Sequence, residues 1–275
     1  MSGCNLRMDE YFQANRKLWD QWTSEHEKSP FYDLAGFRAG KDRLHSIELS
    51  ELGDVSGKSL LHLQCHFGMD TLAWARRGAI VTGVDFSASS IALARSLSQE
   101  LNIPATFVCA DIYQISDTLS GDFDVVFTSY GVLHWLRDLH QWGRIIAHSL
   151  KPDGIFYIVE DHPTFRMFTI EEETRIKLAN PYFFSETPEQ VEMTGSYATD
   201  NKGETASLYI WNHGLGEVIN ALIDAGLTIE FLHEFPYAAR AKFPFMEKGS
   251  DGWWRLPSQY TQIPFLFSLQ ARKSK

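Results

Sequence analysis

Cysteine is scarce in this 275-residue chain: Cys4, Cys65 and Cys109 are its only three. They form no C-x-x-C and no Cys/His cluster, so neither a disulfide framework nor a zinc site is indicated, and no metal is expected. A reducing, cytoplasmic compartment suits such usage. Long apolar runs are missing too. Nothing approaches the roughly 18 consecutive apolar residues of a membrane-spanning helix, and the opening residues, MSGCNLRMDEYFQANRK, lack the apolar core of a secretory leader. No membrane association is therefore expected. Positive charge is the minority sign, with 25 Lys and Arg against 35 Asp and Glu, for a formal net charge of −10. A surface of that sign repels phosphate backbones, which argues against nucleic acid as a partner. The glycine fingerprint G-x-G-x-x-G of dinucleotide-binding turns is also absent.

What remains has ordinary globular proportions, 44% hydrophobic and 22% charged residues, and suffices for one large α/β domain with a cap. Residues 9–27 place Phe12, Leu18, Trp19 and Trp22 at helical spacing, and a shorter helix is predicted over 41–52. From 59 the texture changes. Apolar strands are predicted at 59–64, 80–85, 105–110, 123–129 and 155–160, with helices at 69–77, 88–101 and 136–149 between them. Residues 162–212 break the rhythm, with two strands expected at 192–199 and 204–211. The acidic run Glu171–Glu173 reads as a solvated helical face. A helix over 215–225 ends at Gly226, and strands follow at 227–234 and 265–272. The main strands are apolar throughout, as expected of strands covered on both faces. The expected fold is a doubly wound, mostly parallel sheet of seven strands. The last strand follows its predecessor without a helix, so it enters antiparallel.

One stretch carries chemistry: LLHLQCHFGMDTLAWARRGAIVTGVDFSASSIALAR. At the end of the first strand the chain must turn sharply into a helix, and Gly68 suits close approach of a ligand to the backbone. About 20 residues on, the second strand ends in Asp85, where a carboxylate can accept hydrogen bonds from both ribose hydroxyls of an adenosine. Its bland alternative is to cap the helix that begins near Ser87.

These residues resemble the class I methyltransferases dependent on S-adenosylmethionine (SAM). The first loop of that family reads L-D-x-G-C-G-x-G, against Leu61, His62, Leu63, Gln64, Cys65, His66, Phe67 and Gly68 here. Leu61, Cys65 and Gly68 match. His62 replaces the acid, and Gln64 and His66 replace two glycines. The likeness covers residues 57–161 closely and 213–273 by topology, and it points to a subfamily with HLQCHFG in its first loop and an N-terminal helix like YFQANRKLWDQW.

The resemblance implies SAM as cofactor and S-adenosylhomocysteine (SAH) as product. It puts the ribose on Asp85 and the adenine amino group near Asp111, with Phe86 and Ile112 on the two faces of the base. Gln64, Cys65, His66, Gly68 and Ser87 complete the expected cofactor set, and Tyr32 is expected to close over it from an N-terminal segment, 1–56. Trp19 and Tyr11 are alternatives for that closure, with helix packing the stronger reading for Trp19. The loop after the fourth strand, Ser129–Trp135, brings Tyr130 and His134 near the methyl group, where both could instead pack under the following helix. His213 either caps its helix or reaches the pocket. Tyr130, His134 and His213 are the candidate bases. His62 reads as a core residue, and a nucleophilic role for Cys65 is rejected because no partner constellation accompanies it.

The domain proper is expected over 57–275, with cap insertions at 162–212 and 236–263. These hold Phe165, Phe168, Tyr182, Phe183, Phe184, Tyr197, Tyr209, Trp211, Tyr237, Phe243, Phe245, Trp253, Trp254 and Tyr260. Such segments beside the carboxyl ends of strands roof a substrate site, bury one another, or form an interface. The expected reaction is in-line methyl transfer to a small-molecule acceptor, by a monomer or homodimer. An NAD-dependent oxidoreductase and a non-catalytic SAM-binding protein are the rival readings.

Overall fold

In the computed structural model, residues 2–119, 121–199 and 204–275 are described, without the side chains of 2–9 and 117. The chain opens with helices α1 (Ser2–His26), α2 (Leu34–Arg38) and α3 (Ser46–Leu52). The alternating part follows: β1 (Ser59–Leu63), α4 (Met69–Arg76), β2 (Ile80–Asp85), α5 (Ala88–Glu100), β3 (Thr106–Cys109), β4 (Phe123–Ser129), α6 (Leu139–Ser149) and β5 (Leu150–Asp161). The first insertion holds α7 (Pro163–Met167) and two hairpins, β6 (Phe168–Glu172) with β7 (Arg175–Leu178) and β8 (Glu189–Thr194) with β9 (Thr205–Ile210). Then come α8 (Leu215–Asp224) and β10 (Leu227–Phe235). The short strands β11 (Tyr237–Ala238), β12 (Glu247–Lys248) and β13 (Trp254–Arg255) lead to β14 (Leu266–Lys273). Among the described residues no helix is long and apolar enough to cross a membrane.

Seven strands form the central sheet in the order β10-β14-β5-β4-β1-β2-β3. Neighbours from β5 to β3 run parallel, and β14 alone is antiparallel to both its neighbours. The continuous apolar strands feed two cores by period-two alternation. Leu60, Val125, Phe127, Tyr157 and Val159 pack with Trp74 of α4 and Ile91 of α5. Leu61, Leu63, Val126, Phe156 and Ile158 pack with Trp142 of α6 and Val218 of α8 on the opposite face. Crossovers go to opposite sides on either side of the β1/β4 pair. That reversal opens a crevice at the carboxyl ends of the two strands.

Several expected elements move. The helix expected over 41–52 is confined to α3, and a separate short helix, α2, precedes it. Asp33, at a left-handed φ of 47°, caps Gly36 N–H at the start of α2. Glu48 Oε1 accepts the His45 N–H at 2.7 Å, which fixes the start of α3. The acidic run is not helical. Glu171 and Glu172 lie in the β6–β7 hairpin and pair with Arg175, which draws the two strands together. The helix expected from 136 starts at Leu139, because Asp138 caps it through Gln141 N–H at 2.8 Å. Strands expected at 192–199 and 204–211 sit at 189–194 and 205–210.

Candidate active site

The crevice widens into a cavity of about 1670 Å³. Its floor is built from the residues that end β1, β2, β3 and β4. Over Gln64–Gly68 the backbone alternates into the left-handed region, with φ of 56° at Gln64, 50° at His66 and 77° at Gly68. A Cβ is disfavoured at the first two of these positions, where the resemblance drawn from the sequence implies glycine. Here each side chain is held. Gln64 Nε2 donates to Val132 O at 3.1 Å, and His66 bridges Ser90 Oγ through Nδ1 and His26 Nδ1 through Nε2, both at 2.9 Å. Gly68 is a glycine for packing as well as φ: a Cβ would lie 2.6 Å from Phe107 Cε1. Its role is thus to seat α4 against β3, not only to admit a ligand.

Asp85, 7% exposed, ends β2. Its Oδ2 accepts the His66 N–H at 2.8 Å and its Oδ1 the Ser87 N–H at 2.9 Å. Burial pushes its carboxyl up to about 6, against the lowering effect of those two donors. The Phe86 backbone N–H also acts on this carboxylate, which has about four acceptor positions in all and so keeps some capacity for a further donor. Asp111 plays the equivalent part at the end of β3. It caps the following turn through Tyr113 N–H at 3.0 Å and borders the cavity. Phe86 and Ile112 lie on the same wall, with Phe12 of α1 edge-on to Phe86 at 5.4 Å.

The roof comes from α1, the 30–45 segment and β8–β9. Asn15 exchanges two hydrogen bonds with the Tyr209 backbone, at 2.7 and 2.9 Å. Trp22 Nε1 donates to Gly195 O at 3.2 Å, and Tyr32 Oη is hydrogen-bonded to Tyr197 Oη. Trp19 both packs in the helix and borders the cavity, with its ring 5.0 Å from His66 and 5.4 Å from Trp135. Tyr11 packs against Tyr209 with the rings tilted at 39° and 4.6 Å apart, and is not on the cavity wall.

Beyond β4, Tyr130 (φ 38°) and Gly131 turn sharply. Glu160 holds this turn by accepting the N–H groups of Gly131, Val132 and Leu133, and burial pushes its carboxyl up to about 7. Tyr130 Oη donates to Glu48 Oε2 at 2.9 Å. Glu48 is 1% exposed, and burial raises it to about 8. His134 borders the cavity, and burial followed by the charges of Arg166 and Arg240 holds its ring well below the usual histidine range. It is therefore neutral at ordinary pH.

Of the expected residues, Tyr32, Gln64, Cys65, His66, Gly68, Asp85, Phe86, Asp111, Ile112, Tyr130 and His134 gather on one cavity. Two do not. Ser87 is fully buried as the cap of α5, donating to Asp20 Oδ1 of α1 at 2.7 Å. His213 turns away: Nε2 is bonded to Leu136 O at 2.6 Å and Nδ1 lies 3.1 Å from Glu217 Oε1. Neither ring nitrogen reaches the cavity, and Gly214 rather than His213 is the cap of α8. Of the insertion aromatics, Tyr197, Trp211 and Trp254 face the cavity. Phe165, Phe243, Phe245 and Tyr260 instead bury one another. Glu48, Asp70, Glu160, Arg166 and Arg240 are additions. A charged residue among the apolar positions of SIELSEL, and a double acid ending a strand at Glu160 and Asp161, were the only sequence signals for them.

Residues 61–158 match the family described as a methyltransferase domain. A ubiquinone biosynthesis O-methyltransferase of Chromobacterium violaceum is 27% identical over 149 residues, 54% of this chain and 60% of that protein. The chain thus spans less than two thirds of that relative's length. An S-adenosylmethionine dependent methyltransferase of Mesorhizobium loti superposes with a TM-score of 0.55 at 22% identity, covering 82% of this chain and 94% of the other. A glycopeptide N-methyltransferase complexed with SAM gives 0.54 at 14% identity, covering 84% and 88%. At these identities the structural likeness is one of fold. The matched segment 61–158 carries a methyltransferase domain, and the strand order, the β1–α4 turn and the acids after β2 and β3 are similar to those of the class I SAM-dependent methyltransferases.

Proposed function

We propose that the protein transfers a methyl group from SAM to a small-molecule acceptor. The observation that carries this reading is Asp85: a buried carboxylate at the switch point of the sheet, lining a large cavity, with acceptor capacity left beyond its backbone donors. The groups present fit the cofactor. Asp85 would take the ribose, Asp111 the adenine amino group, and Phe86 and Ile112 the faces of the base. Gln64, Cys65, His66 and Gly68 would border the methionine portion, and Ser87 would act through the placement of Asp85. Residues 1–56, with Tyr32, would close over the nucleoside, and the 162–212 and 236–263 insertions over the acceptor.

SAM supplies a methyl group already activated by a positive sulfur, so the chain's own task is to align the acceptor and exclude water. His134, neutral and on the wall, would take the acceptor's proton, with Tyr130 beside it. His213 has no route to that proton. The oxidoreductase reading lacks a comparable support, because the Gln64 and His66 side chains fill the turn where a pyrophosphate needs a bare cradle. With Cys65 buried and Cys109 exposed, both as free thiols, a cytoplasmic setting suits the chain.

Calorimetry with SAH tests the proposal. Binding that Asp85→Ala abolishes is expected, while an absence of SAH binding to the unaltered protein overturns it.

A further inference from the structure

The acceptor end of the cavity is unlike the rest of this acidic chain. Arg166 of α7 and Arg240, between β11 and β12, reach it from the two insertions and share its wall with His134. They are not equivalent. Arg240 is committed: its two terminal nitrogens face the two oxygens of Asp161, at 2.5 and 3.4 Å. A Cβ on Gly131 would sit 3.9 Å from both Asp161 Oδ2 and His134 Cε1, which puts that ion pair close to the His134 ring. Arg166 is under-used. Its Nε donates to Asn212 Oδ1 at 3.2 Å, but its nearest carboxylate oxygen, Glu189 Oε2, is 3.7 Å from NH2, beyond hydrogen-bond range. Among the described residues its terminal nitrogens make no hydrogen bond, and they belong to a side chain that is 26% exposed and borders the cavity.

A third cation adds to the imbalance. Lys242 Nζ lies 4.7 Å over the Phe165 ring, and the Arg240 guanidinium 4.8 Å over that same ring. Burial and the two arginines lower the Lys242 ammonium to about 8. Three positive groups therefore gather where the nearby acids are Asp161, paired with Arg240, Glu189, in a 3.7 Å ion pair with Arg166 that forms no hydrogen bond, and Glu160, engaged by backbone N–H groups. Next to them the wall is apolar, formed by Val191, Met193, Leu208, Ile210 and Trp211. A guanidinium with a free fork matches a carboxylate in a bidentate way, and partial desolvation strengthens that pairing.

We infer that the methyl acceptor bears a carboxylate on an apolar body, with the carboxylate seated on the free fork of Arg166 and the body against the β8–β9 wall. This rests on the methyl-transfer reading for what the cavity does, but the anion subsite is testable without turnover. The carboxylate would be fixed at one end while the nucleophilic atom lies toward His134.

The probes are 3-phenylpropanoate and its neutral counterpart 3-phenylpropanamide, titrated into the protein with and without SAH. The carboxylate is expected to bind about tenfold or more tightly than the amide, as a charged hydrogen-bonded pair warrants. Arg166→Gln removes that preference and Arg166→Lys restores part of it, with SAH affinity unchanged in both. Equal binding of the two probes, no binding of either, or a preference that survives Arg166→Gln overturns the inference. The probe comparison needs only the unaltered protein, so a variant that fails to fold does not decide the matter. A missing SAH isotherm beside a clear carboxylate preference would overturn the cofactor reading alone.

Discussion

His66 Nε2 lies 2.9 Å from His26 Nδ1, and the far nitrogen of His26 is 2.5 Å from Ser196 Oγ. A residue held at a left-handed φ of 50° thus ties the floor of the cavity to its roof. His66→Gly would relieve the left-handed strain, worth about 1 kcal/mol, and lose side-chain hydrogen bonds of similar size. The thermal midpoint should change little, while cleavage of α1 by trypsin should speed up roughly tenfold and SAH bind more weakly, as the lost bonds imply. Unchanged trypsin sensitivity would rule out the tie.

Asp85 must be ionised to accept two ribose hydroxyls, and burial raises it to about 6. SAH affinity should be level above pH 7 and fall as pH drops through 6, with a proton released on binding near pH 6. Asp85→Asn should weaken binding by about 10–100-fold at pH 8, since it removes charged acceptors and turns an amide N–H toward a backbone donor. It should also flatten the pH dependence. Titrations between pH 5 and 8.5 check both, and a wild-type profile that is already flat would defeat the assignment.

Glu48, held at about 8 instead of the usual 4.5, gives a stability effect of defined sign. A carboxyl raised by folding contributes fully below its unfolded value and loses that contribution as pH climbs through its folded value. From this group alone the protein should lose stability between pH 4.5 and 8, by at most on the order of 5 kcal/mol. Glu48→Gln stays neutral and keeps the shape. Urea melts at pH 5.5 and 8.5 should find the variant relatively more stable at the higher pH, and a difference independent of pH would show that the buried acid is not neutral.

Gly68→Ala would combine a φ of 77° with a Cβ 2.6 Å from Phe107. A loss of about 2–4 kcal/mol is expected. Gly226→Ala, at φ 86° after the C-terminus of α8 with nothing within 4 Å, should lose only the conformational part, about 1 kcal/mol. Equal urea midpoints for the two variants would remove Phe107 from the account.

Local signals made the sheet legible. Strands such as 80–85 and 123–129 were bounded by their own apolar runs, and Ser87 announced α5 by its capping chemistry. That Asp85 and Asp111 border the cavity was legible because one ends a strand and the other follows one closely. Long-range partners were not legible. Nothing in HLQCHFG says that His66 reaches His26, or in HGLGE that His213 turns back to Leu136. Arg166 and Arg240 were hidden in insertions without periodicity. In the β6–β7 hairpin, three successive acids masked the alternation of Phe168 and Ile170 with Thr169 and Glu171.

The place of β14 has a consequence for the order of assembly. It is the last strand in the chain, yet it lies inside the sheet, between β5 and β10. In the sheet, β10 therefore has no neighbour until residues 266–273 have left the ribosome. Translation alone cannot complete this sheet strand by strand. Ending the chain before Leu266 would remove one strand and orphan another, exposing the edge of β5 and the apolar surface that Leu266, Phe267 and Leu269 now keep dry. A chain so shortened should aggregate instead of folding to a smaller version of itself.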